Sequence, residues 1–182
     1  KEDFSLNVQL FLSKISNETK ICFICSPNNP TGNQFKINEL LKIIEEFPGI
    51  VVIDEAYVEY ADYSLTKMVD EYENLIILRT FSKAFGLASI RLGYAISNPY
   101  IIKIINKFIP PFHLNSFSLA IALKALSRIE IFEKYIKETI IERDFLIISK
   151  WNYPLYKIVS IWYYFKHKGT LEHGPRSNLP QI

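Results

Sequence analysis

The sequence predicts an α/β fold with a mostly parallel sheet covered by helices, and three observations carry that expectation. Short apolar runs alternate with longer amphipathic ones between residues 20 and 97. The short runs are apolar throughout, as strands buried on both faces are. Each also ends in polar residues, at the end of a strand where parallel sheets present their chemistry. With 182 residues, 49% of them hydrophobic, the chain is about one domain long and can bury a sizeable core.

Taken in order, "KICFICS" (20–26) reads as a buried first strand, and the stiff polar turn "SPNNPTGN" (26–33) follows it. "INELLKIIEEF" (37–47) predicts a helix, with Leu40, Leu41, Ile43, Ile44 and Phe47 at helical spacing. "GIVVIDEAY" (49–57) is a second strand, its β-branched residues running into two carboxylates, and "NLIILRTFSK" (74–83) repeats the form. "RLGYAIS" (91–97) is a fourth strand. From Asn98, "NPYIIKIINKFIPPF" starts as a helix and stops at Pro110-Pro111. Residues 115–151 form one long helix or two in sequence. Lys124, Arg128, Glu133, Lys137, Glu138 and Arg143 mark it as an amphipathic element leaving the sheet. The last stretch loses any regular period and is expected to be truncated or disordered, as a reading-frame change near residue 151 would leave it. The chain therefore divides into a sheet-bearing core (1–112), a helical segment (113–150) and an atypical tail (151–182).

Composition excludes several function classes. A net charge of +2 with 22% charged residues gives no basic surface for nucleic acid and none for a membrane. The longest apolar stretch, "IIKIINKFI", is broken by Lys103 and Lys107 and is too short to span a bilayer. The chain opens "KEDFS", with neither a leader nor an initiator methionine, which suggests a fragment or processed chain and a cytoplasmic setting. Cys22 and Cys25 form a C-x-x-C inside a strand, where residues three apart point to opposite faces. They are expected to be buried structural cysteines rather than a redox or metal pair. The sequon Asn17-Glu18-Thr19 carries no weight without a secretory signal. His113, His167 and His173 show no ligand spacing, so no metal is expected.

Three strand ends supply a mutually suited set: Asn28 and Asn29; Asp54 and Tyr57; Thr80, Ser82 and Lys83, with Arg91 eight residues on. Each has a plainer reading alone. Asn29 before Pro30 starts turns, Tyr57 packs, Thr80 and Ser82 cap, and Lys83 and Arg91 sit on surfaces. Together they match what one cofactor, pyridoxal 5′-phosphate, requires. It takes a lysine amine for its carbonyl, a carboxylate for its ring nitrogen, donors for its ring hydroxyl, and hydroxyls with an arginine for its phosphate.

At this point the chain resembles the fold-type I pyridoxal-phosphate enzymes, specifically the class I and II aminotransferases, on "SPNNPTG", "VVIDEAYVEY" and "RTFSKAFGLASIRLGY". Within them it is most similar to the histidinol-phosphate branch. The resemblance covers residues 20 to about 150 and fades beyond. It implies part of a pyridoxal-phosphate-binding large domain, with a long helix toward an incomplete small domain. Lys83 would be the lysine that bonds the cofactor and moves the substrate's proton. Asp54 would partner the ring nitrogen, and Asn29 and Tyr57 the ring hydroxyl. Thr80, Ser82 and Arg91 would contact the phosphate. Ser89 stands where the family commonly has glycine.

The implied reaction exchanges an amino group between a small-molecule donor and a 2-oxo acid: histidinol phosphate and 2-oxoglutarate, in histidine biosynthesis, in a homodimer. An aromatic aminotransferase, a threonine-phosphate decarboxylase and an inactive remnant are the alternatives. Family chains are about twice this long. Their front segment carries a phosphate turn and a ring-stacking aromatic, and their back segment an arginine for the substrate carboxylate. Neither is recognisable here, and Arg176 does not match that pattern, so the chain alone is expected to be impaired.

Overall fold

The computed structural model describes residues 4–148, so the expectations for 151–182 lie outside the described residues. Four strands form one sheet in sequence order: β1 (Ile21–Cys25), β2 (Ile50–Asp54), β3 (Leu75–Thr80) and β4 (Gly93–Ser97). β1, β2 and β3 are parallel, and β4 returns antiparallel to β3. Cys25 lies opposite Asp54, Asp54 opposite Leu78, and Thr80 opposite Gly93. The carboxyl ends of three strands and the start of a fourth therefore meet along one edge.

The predicted helix is α2 (Ile37–Glu46), preceded by a short α1 (Val8–Leu12) that the sequence pattern did not announce. Leu40, Ile43 and Ile44 of α2 are fully buried against Cys22, Ile24, Val51, Ile53, Leu75 and Ile77. At about 1.5–3 kcal/mol for each buried aliphatic side chain, this face supplies much of the driving force. The Asn74 amide donates to the carbonyls of Ile44 at 2.9 Å and Gly49 at 3.2 Å, satisfying a helix end that would otherwise be left open.

The other face is covered more thinly. α3 (Pro99–Asn106), capped by Asn98 through the Ile101 N–H, lays Ile101 on Val52 and Ile76. β1 is not the buried strand expected. It alternates, with Cys22 and Ile24 under α2, while Ile21 is 53% and Phe23 67% exposed. The helical stretch is two helices, α4 (Ser116–Leu126) and α5 (Ile129–Ile148). Ala122 and Ala125 of α4 pack with Phe81, Phe85, Ile90 and Leu92, and Phe132 of α5 meets Phe85 at 5.1 Å between ring centres. The expectation of a simply amphipathic element needs correction. Phe117, Leu119 and Leu123 of α4, and Ile131, Tyr135 and Ile141 of α5, are exposed as well. Arg143 ties α5 back to the sheet domain by donating to the Tyr60 carbonyl at 2.9 Å.

Candidate active site

The turn after β1 separates its asparagines by task. The Asn28 backbone N–H donates to the Asn33 carbonyl at 2.9 Å, and its own carbonyl accepts from Gly32 N–H at 2.7 Å. Gly32 takes the left-handed conformation that closes the loop, with φ of 70°. The peptide bonds before Pro27 and Pro30 are cis. Asn28 thus holds the turn, while the Asn29 amide reaches across to the Tyr57 hydroxyl oxygen at 2.8 Å. Because the phenol accepts there, its own proton remains available for another acceptor. Tyr57 is buried, and the Lys83 ammonium sits over its ring, 5.1 Å from the centroid.

The strand ends open onto a pocket of about 600 Å³ whose wall includes Asp54, Thr80, Ser82, Lys83 and Arg91. Asp54, half-buried at the end of β2, accepts the Ala56 N–H at Oδ1, 3.0 Å away. Thr80 ends β3 and has a local duty: its hydroxyl accepts the Ser82 N–H at 3.1 Å and donates to the Leu92 carbonyl at 3.4 Å. These contacts brace the turn after β3; no helix starts at that point, so Thr80 is not the helix cap of the plainer reading. Lys83 makes no ion pair with a carboxylate among the described residues. Arg91 is exposed, with φ of 52°, a left-handed conformation that costs a side-chain-bearing residue about 1–2 kcal/mol. One guanidinium nitrogen returns to the Ala88 carbonyl at 3.1 Å. Gly93 lets β4 approach closely, since a Cβ there would lie 2.8 Å from the Arg79 carbonyl oxygen.

Sequence reasoning did not single out Glu55 and Arg79. Glu55, only 2% exposed, accepts from Arg79 Nε at 3.0 Å, from Ser64 Oγ at 2.8 Å and from the Leu65 N–H at 2.7 Å. In the structure Glu55 and Arg79 each stand one residue past the Asp54–Leu78 pair, an adjacency set by the register of β2 against β3. Burial pushes the Glu59 carboxyl above the usual carboxylate range, against the pull of its own backbone N–H and of Arg79.

The cysteines split. Cys22 is buried, and that burial raises its thiol to about 11; Cys25 is exposed rather than buried, its thiol raised by partial desolvation and by Asp54. Neither is poised as a nucleophile. No three His, Cys, Asp or Glu side chains among the described residues could share a metal ion, and no helix there is long and apolar enough to cross a membrane.

Residues 1–147 match the family described as aminotransferase class I and II. The chain belongs to that family. Among curated aminotransferases it is 43% identical over 148 residues to the histidinol-phosphate aminotransferase of Methanocaldococcus jannaschii, covering 80% of this chain and 40% of the relative. It is 40% identical over 187 residues to that of a Thermoanaerobacter species, covering 96% of this chain and 52% of the relative. The likeness to this second aminotransferase runs past residue 150, where the motifs alone suggested that it fades. The fold is similar to the crystal structure of the Sinorhizobium meliloti histidinol-phosphate aminotransferase in complex with pyridoxal-5′-phosphate. The TM-score is 0.71 at 25% identity, over 79% of this chain and 40% of that one. The chain thus spans about half or less of the length of these aminotransferases.

Proposed function

We propose that this chain carries the central cofactor-binding segment of a pyridoxal-phosphate-dependent aminotransferase that acts on histidinol phosphate with 2-oxoglutarate. The observation that carries the reading is the unpaired Lys83 amine, seated over Tyr57 on the wall of the pocket that Asp54 and Arg91 also line. The donor set fits the cofactor. The Asp54 side chain has one hydrogen bond among the described residues, at Oδ1, which leaves Oδ2 for a ring N–H. Tyr57, fixed by Asn29, keeps a proton for a ring hydroxyl. Arg91 and Ser82 offer donors to a phosphate, with Thr80 bracing the turn that carries Ser82.

Bound pyridoxal phosphate supplies a reactive carbonyl and an electron-withdrawing ring. Lys83 Nζ would hold it through that carbonyl and, once displaced by the substrate's own amine, would be free to hold or move the proton at the substrate's α-carbon. Asp54 keeps the ring nitrogen protonated, and Arg91 fixes the phosphate so that Lys83 stays aligned. On this reading residues 1–112 form the large-domain core and 113–150 lead toward a small domain, in a cytoplasmic homodimer.

The test is an absorbance scan of the purified chain with added pyridoxal phosphate, beside Lys83→Ala. A visible band present in the first and lost in the second is expected; identical spectra would overturn the cofactor site. Product analysis with histidinol phosphate against threonine phosphate then separates the aminotransferase from a decarboxylase of the same family.

A further inference from the structure

The cofactor reading leaves unused the one buried carboxylate among the described residues, Glu55. It lies just past β2, and its backbone N–H donates to the Leu78 carbonyl of β3 at 2.9 Å. Its side chain crosses the same gap. Glu55 Oε2 pairs with Arg79 Nη2 at 2.9 Å and accepts from Nε at 3.0 Å, a two-nitrogen grip. Arg79 Nη2 also donates to Ser64 Oγ at 2.7 Å and Thr66 Oγ1 at 2.8 Å, and Nη1 faces Glu59 at 3.7 Å.

Two consequences follow from this pairing. Arg79 lines the pocket but is already ion-paired with Glu55 and Glu59, whereas Arg91 pairs with no carboxylate among the described residues. A buried ion pair also adds little net stability over an apolar pair of the same size, so stability alone does not explain its presence. What it does is fix geometry. Asp54 immediately precedes Glu55, and Thr80 immediately follows Arg79.

We propose that Glu55 and Arg79 are positioning residues whose pair pins the carboxyl ends of β2 and β3 and so sets the spacing of Asp54 against Thr80, Ser82 and Lys83. The consequence for binding rests on the cofactor reading above; the geometric part does not, and the experiment separates them.

Glu55→Gln keeps the size and one acceptor, and Arg79→Lys keeps the charge but loses the fork. The first measurement is amide hydrogen exchange on the cofactor-free chain. It follows Ala56, bonded to Asp54 Oδ1, and Ser82, bonded to Thr80 Oγ1, against Phe47 at the end of α2 as reference. Both variants should speed exchange at Ala56 and Ser82 by about tenfold and leave Phe47 within about twofold. Faster exchange confined to Leu65, which Glu55 itself binds, overturns the proposal. So does a uniform rise that includes Phe47, the mark of general destabilisation.

The second measurement titrates pyridoxal phosphate into each protein. Both variants should bind about tenfold more weakly and move the pH midpoint of the visible band, with Arg79→Lys the milder. Wild-type affinity and midpoint in both variants overturn the proposal. If the unaltered chain gives no band while the exchange pattern is as expected, the pair's positioning role is upheld and the cofactor reading fails.

Discussion

Asp54 and Glu55 leave the same strand end side by side, yet among the described residues one carboxylate faces an open pocket with a single hydrogen bond at Oδ1 while the other is enclosed by Arg79, Ser64 and the Leu65 backbone. The two arginines divide in the same way. Arg79 is spent on neighbours, and Arg91 is exposed with one nitrogen returned to its own turn. Polar groups whose hydrogen-bonding capacity is filled from within the chain hold structure, and those left partly unfilled at the same sheet edge are the ones available to a ligand. Residue type does not distinguish the two regions; burial and the number of partners do.

The largest expected effect breaks the closed region. Arg79→Ala leaves Glu55 buried without its counter-ion, and a loss of about 3–5 kcal/mol is expected in a denaturant titration. Asp54→Asn, one residue from Glu55, should stay within about 0.5 kcal/mol of the parent because its Oδ1 still accepts the Ala56 N–H. If both substitutions cost alike, the contrast between the regions fails.

Arg91→Gly sharpens the contrast from the open side. It removes the guanidinium but relieves a left-handed residue, so stability should change by less than about 1 kcal/mol while pyridoxal-phosphate affinity falls about tenfold or more. Calorimetry and an absorbance titration on one sample measure both, and a large stability loss would place Arg91 with the structural set instead.

The smallest effect concerns Glu59. Its carboxyl is raised in the folded protein, mainly by burial, so ionisation costs the folded state. That cost is absent below the unfolded-state value, grows as pH rises from there through the folded value, and is complete above it. Glu59→Gln should therefore raise Tm modestly at pH 7 and not at about pH 4. An equal gain at both would mean that packing rather than charge is responsible.

Much of this was legible in the sequence, for identifiable reasons. α2 was visible because Leu40, Ile43 and Ile44 recur at helical spacing, and β2 and β3 because their apolar runs are unbroken. β1 misled because "ICFIC" has the same unbroken texture, although only alternate residues are covered in this chain. α1 was missed since five residues hold too little of a helical period to recognise. At the pocket, the motif residues Asp54, Thr80, Ser82, Lys83 and Arg91 do come together on one wall, with Asn29 joined through Tyr57. Glu55 and Arg79 were invisible because their pairing depends on the offset between two strands, which no local pattern encodes. The sequence also could not tell which of Asn28 and Asn29 closes the turn, a matter of backbone geometry alone.

The strand order has a consequence for synthesis. Since β1 to β4 lie side by side in the order in which they are made, β2, β3 and β4 each find a partner already made as they emerge from the ribosome. Among the described strands every pairing joins segments that are consecutive in the chain, which keeps these loop closures short. Arg91 arrives just before the fourth strand, after Asp54 and Lys83. A nascent chain of this kind lays down its hydrophobic layer before Arg91, so the last charged residue of the pocket wall joins a scaffold that is already built.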